Sequence, residues 1–150
     1  REGMKKMTVE KITTEEALKN AFNIRKSVFV EEQGVPLEDE FDQFDQLDVQ
    51  CQHILVTIDH KAVGTGRIRA VDGVGKLERI CILEPFRKLG LGKVIIHSLE
   101  EIAKDMSLSK VKLHGQTHAE GFYAKLGYHT ASDAFMEDGI PHLLMTKQLN

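Results

Sequence analysis

Hydrophobic positions along the chain switch between two periods. Met7 to Ile12 alternates, as a half-exposed strand does. Thr13-Thr14-Glu15-Glu16 follows with capping-box spacing, Thr13 to Glu16. Leu18, Ala21, Phe22, Arg25, Val28 and Phe29 then recur at helical spacing, which predicts a helix from about Thr14 to Val30, ended by Gly34 and Pro36. The stretch after Pro36 has room for one short helix. His53 to Ile58 reads as a strand, Asp59-His60-Lys61 as a tight turn, and Ala62 to Val71 as the partner strand of a hairpin. Asp72-Gly73 turns the chain into a further strand, Lys76 to Leu83. Leu91, Val94, Ile95, Leu99, Ile102 and Met106 restore the helical period, so a long helix begins near Gly90. Val111 to Gly115 is a short strand, and Ala119 to Leu126 a short helix closed by Gly127. Tyr128 onward and Leu143 to Thr146 give two last strands around the Asp138-Gly139-Ile140-Pro141 turn. The order β-α-β-β-β-α-β-α-β-β predicts an α/β domain of the α+β kind with a mixed sheet.

Composition narrows this further. A chain of 150 residues, 41% apolar and 29% charged, fits one globular domain, 1–150, that needs neither disulfide nor metal to build its core. No repeat, linker or low-complexity segment interrupts it. No run approaches the ~20 apolar residues of a membrane helix, so no membrane partner is expected. Arg1 to Met7 lacks the apolar stretch of a signal peptide. Met4 reads as a natural start, with Arg1, Glu2 and Gly3 as an expression remnant. Cys51 and Cys81 are isolated and lack CxxC spacing, which points to free thiols and a cytoplasmic location. A net charge of −3 argues against nucleic acid as the partner. Oligomeric state stays open, a homodimer included.

Charge distribution says more than the sum. No Lys or Arg occurs between Ser27 and His60, while Glu31, Glu32, Glu38, Asp39, Glu40, Asp42, Asp45 and Asp48 do. This is either a solvated acidic loop or a wall that concentrates a cationic acceptor.

The candidate chemistry lies in Glu84-Pro85-Phe86-Arg87-Lys88-Leu89-Gly90-Leu91-Gly92-Lys93. A strand, a loop with two close glycines and then a helix suit a phosphate: first-turn N–H groups have no internal partners and sit at the positive end of the helix dipole. The spacing is neither GxxxxGK[ST] nor GxGxxG, so neither common nucleotide loop fits.

Arg87-Lys88-Leu89-Gly90-Leu91-Gly92 resembles the (Arg/Gln)-x-x-Gly-x-(Gly/Ala) signature of the GNAT superfamily of N-acetyltransferases. Phe122-Tyr123-Ala124-Lys125-Leu126-Gly127-Tyr128 is similar to the same family's (Phe/Leu)-Tyr-x-Lys-x-Gly-(Phe/Tyr) segment. The element order matches too, so the resemblance covers nearly the whole chain. Val30 to Pro36 and Asp138 to His142 most resemble small bacterial members of the YjcF and ElaA type.

The resemblance implies transfer of an acetyl group from acetyl-CoA to an amine of a small acceptor, by direct attack in a ternary complex and with no metal. It implies that Arg87, Lys88, Leu89, Gly90, Leu91, Gly92 and Lys93 bind the pyrophosphate. It also implies that Ile80, Cys81 and Ile82 meet the pantetheine arm through their backbone. Gln116 and Ala119 occupy the positions of the family's Asn-x-x-Ala. Tyr123, protonated at neutral pH, is the candidate acid for the leaving thiolate. Glu78, four residues before Ile82 and so expected on the same face, is the candidate base. Glu40, Asp42, His53, Glu137 and His142 are candidates for the acceptor site. His114 and His118 straddle a strand end, so they do not read as a metal pair. Two other functions use the same loop: a non-catalytic acyl-CoA sensor and a binder of another nucleotide.

Overall fold

A computed structural model describes residues 6–48 and 50–149; Arg1 to Lys5, with the expected start at Met4, lie outside the described residues. The elements are β1 (Met7–Lys11), α1 (Glu15–Arg25), α2 (Leu37–Glu40), β2 (Cys51–Ile58), β3 (Lys61–Val71), β4 (Val74–Ile82), α3 (Leu91–Asp105), β5 (Lys110–Gln116), α4 (Glu120–Lys125), β6 (His129–Thr130), β7 (Phe135–Glu137) and β8 (Ile140–Gln148). The strands form one sheet in the order β1-β2-β3-β4-β5-β8-β6, with β7 also paired to β8. Every neighbouring pair is antiparallel except β4 with β5.

Local chemistry accounts for most of these boundaries. The β2–β3 hairpin turns on Asp59 and His60, both at positive φ, and the β3–β4 hairpin on Asp72 and Gly73, also both positive. Such two-residue turns match the right-handed twist of the flanking strands. Thr14, one residue later than expected, caps α1, and its hydroxyl accepts the Ala17 N–H at 3.1 Å. The expected helix continues to Glu32, but Lys26–Glu32 widens to a π turn, with Gln33 N–H donating to Val28 O. π turns of this sort recur at functional sites. The strand expected over Leu143 to Thr146 is longer, Ile140–Gln148, because it pairs with all of β5, from Gln116↔His142 to Lys110↔Gln148.

The sheet buries both faces. Ile54, Val56, Leu77, Val111, Leu113 and Met145 pack with Ile95 and Leu99 of α3 on one face. Leu55 and Cys81 pack with Leu18, Ala21 and Ile24 of α1 on the other. Alternation along β2 sends Ile54 and Val56 one way and Leu55 the other.

Two irregularities open the sheet at its centre. Cys81 stands opposite Thr65, but Glu78 stands opposite Arg67, so Arg79 and Ile80 together face Gly66. Arg79 takes φ +57° to make this bulge. The extra residue reverses the strand's phase: Leu77, Ile80 and Ile82 all pack toward α3, and Cys81 toward α1. Glu78 and Ile82 therefore lie on opposite faces, which corrects the expectation from their four-residue spacing. The second irregularity is that β4 and β5 pair only from Gly75↔Val111 to Leu77↔Leu113. Beyond that point they diverge.

Candidate active site

The divergence of β4 and β5 opens a cleft of about 750 Å³. Its floor is Ile80, Cys81 and Ile82, and the loop leading into α3 forms one wall. Leu83 N–H donates to Val63 O on β3 at 2.9 Å. By alternation, the N–H and C=O groups of Ile80 and Ile82 point away from β3 and into the gap. Cys81 differs: its ladder faces β3, opposite Thr65, and burial pushes its thiol well above the ordinary range.

Gly90, at φ +79°, is the N-cap of α3, and nothing lies within 4 Å of where its Cβ would be. Val94 N–H reaches back to Gly90 O, which leaves the amides of Leu91, Gly92 and Lys93 without helical partners. Gly92 is needed for a different reason, since a Cβ there would meet the Phe122 ring at 3.1 Å. Arg87, Lys88, Gly90, Leu91 and Gly92 line the cleft; the side chains of Leu89, 56% exposed, and Lys93 do not. Free amides, an open approach at Gly90 and two adjacent cations fit an anionic phosphate group. Arg87 is already engaged: Nε donates to Ile82 O at 2.9 Å and the guanidinium grips Glu32 at 2.6 and 2.8 Å. Gln116, which with Ala119 also lines the cleft, hydrogen-bonds Gln33 at 3.3 Å and His118 at 2.8 Å. The end of the π turn thus touches the cleft on both sides.

Tyr123 of α4 packs against β5 at Gly115. A Cβ on Gly115 would sit 2.8 Å from its ring, so that glycine is what lets the ring approach. The only hint of Gly115 in the sequence is a glycine near a strand end. The Tyr123 hydroxyl has no hydrogen-bond partner among the described residues, and no fully buried side-chain oxygen or nitrogen among them is unpartnered. The hydroxyl is therefore open to the cleft that Tyr123 lines. Burial raises its pKa, which keeps the phenol protonated across the neutral range.

The acidic segment is not a free wall. Glu40 is buried against Arg25 at 3.0 Å and Arg79 at 3.2 Å. Asp42 is held by Arg67 at 2.8 Å and approached by Arg79 at 3.7 Å. Asp45 bridges Arg25 and Arg67, and Glu78 takes Arg67, Arg69 and Lys76 at 2.9 to 3.0 Å. Arg25, Arg67, Arg69, Lys76 and Arg79 thus outnumber Glu40, Asp42, Asp45 and Glu78 by one. This corrects the reading of Glu40 and Asp42 as an attractor for cations. Glu40 borders the cleft; Asp42 and His53 do not. His53 is buried and bonded to Phe44 O at 3.1 Å.

The same network corrects the role of Glu78. Burial would raise its pKa, but hydrogen bonding from Arg69, the Arg67 charge and Lys76 together hold it at about 2. A carboxylate so stabilised as an anion is a poor proton acceptor at neutral pH. Glu137 and His142 do border the cleft, with His114 between them and the floor.

The depressed carboxylates carry a pH signature. A folded-state pKa below the unfolded value contributes stability that is complete above the unfolded pKa and is lost as pH falls through the folded one. Glu78 drops from 4.5 to about 2, and Asp42 and Asp45 also fall below their ordinary value. Glu40, raised by burial, works in the opposite sense. Three depressed groups against one raised predict a melting temperature that declines from about pH 5 toward pH 2. Thermal melts across that range check it; a flat profile would contradict the network.

A mixed sheet parted between two parallel strands, with a glycine-capped helix at the mouth, is the architecture that the resemblance to the GNAT superfamily leads one to expect. The model of the acetyltransferase (GNAT) domain matches residues 27–149, and the chain belongs to this family. A Bacillus subtilis protein named as an acetyltransferase is 63% identical over 142 residues, covering 95% of this chain and 97% of that one. The uncharacterised N-acetyltransferase YjcF of the same organism is 48% identical over 134 residues, covering 89% and 94%. The crystal structure of Escherichia coli ElaA superposes with a TM-score of 0.83 at 25% identity, covering 95% and 99%. These relatives bear out the resemblance to the YjcF and ElaA type. Among the described residues, no helix is long and apolar enough to cross a membrane.

Proposed function

We propose that the chain is a single cytoplasmic domain that transfers an acetyl group from acetyl-CoA to an amine of a small acceptor by direct attack in a ternary complex. The observation that carries this reading is the gap beyond Leu77 and Leu113, where β4 backbone without a strand partner on that side, the α3 N-terminus and the Tyr123 hydroxyl all face one cleft. Acetyl-CoA supplies the activated thioester. The amides of Leu91, Gly92 and Lys93, with Lys88, hold its phosphates, while Arg87, bonded to Ile82 O and Glu32, fixes the loop beside them. Ile80 and Ile82 pair with the pantetheine amides, and the N–H of Ile82 faces the thioester oxygen. Preorganised donors of this kind stabilise a developing oxyanion without reorganising. Tyr123 donates the proton that the leaving thiolate takes up. A Tyr123 hydroxyl unengaged by the protein supports catalysis over acyl-CoA sensing alone.

Gly90→Asp tests the donor site. The position is already left-handed and open, and Asp tolerates that conformation, so the variant should fold. Wild type should gain roughly 2.7 kcal/mol of stability at a hundredfold excess of acetyl-CoA over its Kd, and the variant almost none. Equal affinity in calorimetry would remove the loop from the site. The transfer itself is tested by thiol release with n-butylamine, benzylamine, spermidine and amino-acid amides. Binding without release from any amine would favour the sensor.

A further inference from the structure

With Glu78 held by three cations, a cleft that acetylates an ammonium needs another proton acceptor. We propose that His114, positioned by Glu137, is the base that takes the proton from the acceptor amine, and that the acceptor is therefore an aliphatic amine protonated in water. This rests on the acetyltransferase reading above.

The geometry is specific. His114 Nδ1 lies 2.8 Å from Glu137 Oε1. In the neutral imidazole, an Nδ1–H donating to that carboxylate leaves the lone pair on Nε2. Nε2 has no partner among the described residues, and none of their fully buried side-chain nitrogens is unpartnered, so it is open in the cleft that His114 lines. Phe135 packs edge-on against the imidazole at 5.0 Å and fixes its plane.

Placement relative to Tyr123 strengthens the case. Along β5, Val111 and Leu113 face α3, so Gly115 shares that side, where Tyr123 lies on it. His114 points to the opposite face, as does its neighbour Gln116. The acid thus stands on the side from which the donor enters along α3, and the base on the side of α1. An acyl carbon in the gap between β4 and β5 would be flanked by both.

The groups facing His114 agree with this role. His142 of β8 approaches Glu137 at 4.0 Å and is fixed by Ile140 O at 2.7 Å. Asp138 follows Glu137 in the turn and borders the same cleft. Arg79 and Glu40 form the far wall and are paired with each other. His118 is occupied by Gln116. Among the described residues, Glu137 is the only anion in direct contact with the imidazole, and it stabilises the imidazolium that proton transfer creates.

The step balances. The ammonium gives one proton to Nε2, and the free amine forms a C–N bond to the thioester carbon. The C–S bond breaks and the thiolate takes a proton from Tyr123; the acylated nitrogen loses its second proton through solvent to the Tyr123 phenolate, and His114 releases its own to solvent, one proton per turnover.

The test compares the fastest amine of the screen above, an ammonium at pH 7, with hydroxylamine, which is neutral there. His114→Gln should lower kcat/KM for the ammonium acceptor by about 10²–10⁴ and for hydroxylamine far less. Wild type should show an acidic limb in its pH–rate profile, where the base is protonated. That limb should vanish in His114→Gln and move to lower pH in Glu137→Gln, which keeps the histidine but loses the charge. Added imidazole should restore part of the lost rate. An unchanged limb in His114→Gln, or equal losses on both acceptors, overturns the assignment while leaving acetyl transfer standing. No thiol release by wild type with any amine overturns both readings.

Discussion

Replacing Tyr123 by Phe is expected to lower turnover by about 10²–10⁴ while leaving acetyl-CoA affinity nearly unchanged. The substitution removes one oxygen and keeps the ring that lies on Gly115. Because the hydroxyl bonds nothing else among the described residues, its loss orphans no protein group and should cost little stability. A structural tyrosine would behave in the opposite way, losing stability and keeping rate. Steady-state kinetics with the best amine, beside calorimetry with acetyl-CoA, separates the two. A Tyr123→Phe enzyme as fast as wild type would reduce this residue to packing.

The second large effect concerns stability. Arg67→Met should destabilise the fold by about 3–5 kcal/mol, because it leaves Asp42, Asp45 and Glu78 without their shared cation. Arg67 is 1% exposed, so water cannot replace it. For a chain of this length the melting temperature should fall by roughly 6–20 °C. Arg67→Lys keeps the charge but not the forked geometry that reaches three carboxylates, so an intermediate loss is expected. Urea denaturation of the three proteins checks the order. A loss below about 1 kcal/mol for Arg67→Met would mean that the network contributes as weakly as a surface ion pair does.

The sequence revealed this protein unevenly, and the reasons are physical. The glycine loop and the long helix after it were legible because their signals are local: Leu91, Ile95, Leu99 and Ile102 repeat within one element. The two hairpins were legible for the same reason, through Asp59-His60 and Asp72-Gly73. The acidic segment was misread because its partners are remote. Arg25, Arg67 and Arg79 come from one helix and two strands, and only the folded sheet brings them to Glu40, Asp42 and Asp45. Glu78 was misplaced because a bulge leaves no local trace in a run such as Leu77-Glu78-Arg79-Ile80-Cys81-Ile82. His114 was weighed only as a metal ligand beside His118, whereas its partner Glu137 lies 23 residues away on another strand.

The bulge at Arg79 also bears on how this chain can vary in length. A strand with a uniform register passes a one-residue deletion along to its nearest loop, where the slack is absorbed. Here the register changes inside the strand, between a buried charge network on one side and the cleft floor on the other. Deleting Arg79 would leave Glu78 opposite Arg67, Ile80 opposite Gly66 and Cys81 opposite Thr65, a plain alternation with both sets on their present faces. What would be lost is the Arg79 side chain, which pairs with Glu40 at 3.2 Å. At this point of β4 the chain can lose a position without turning a face, so the extra residue serves the charge network and not the alternation.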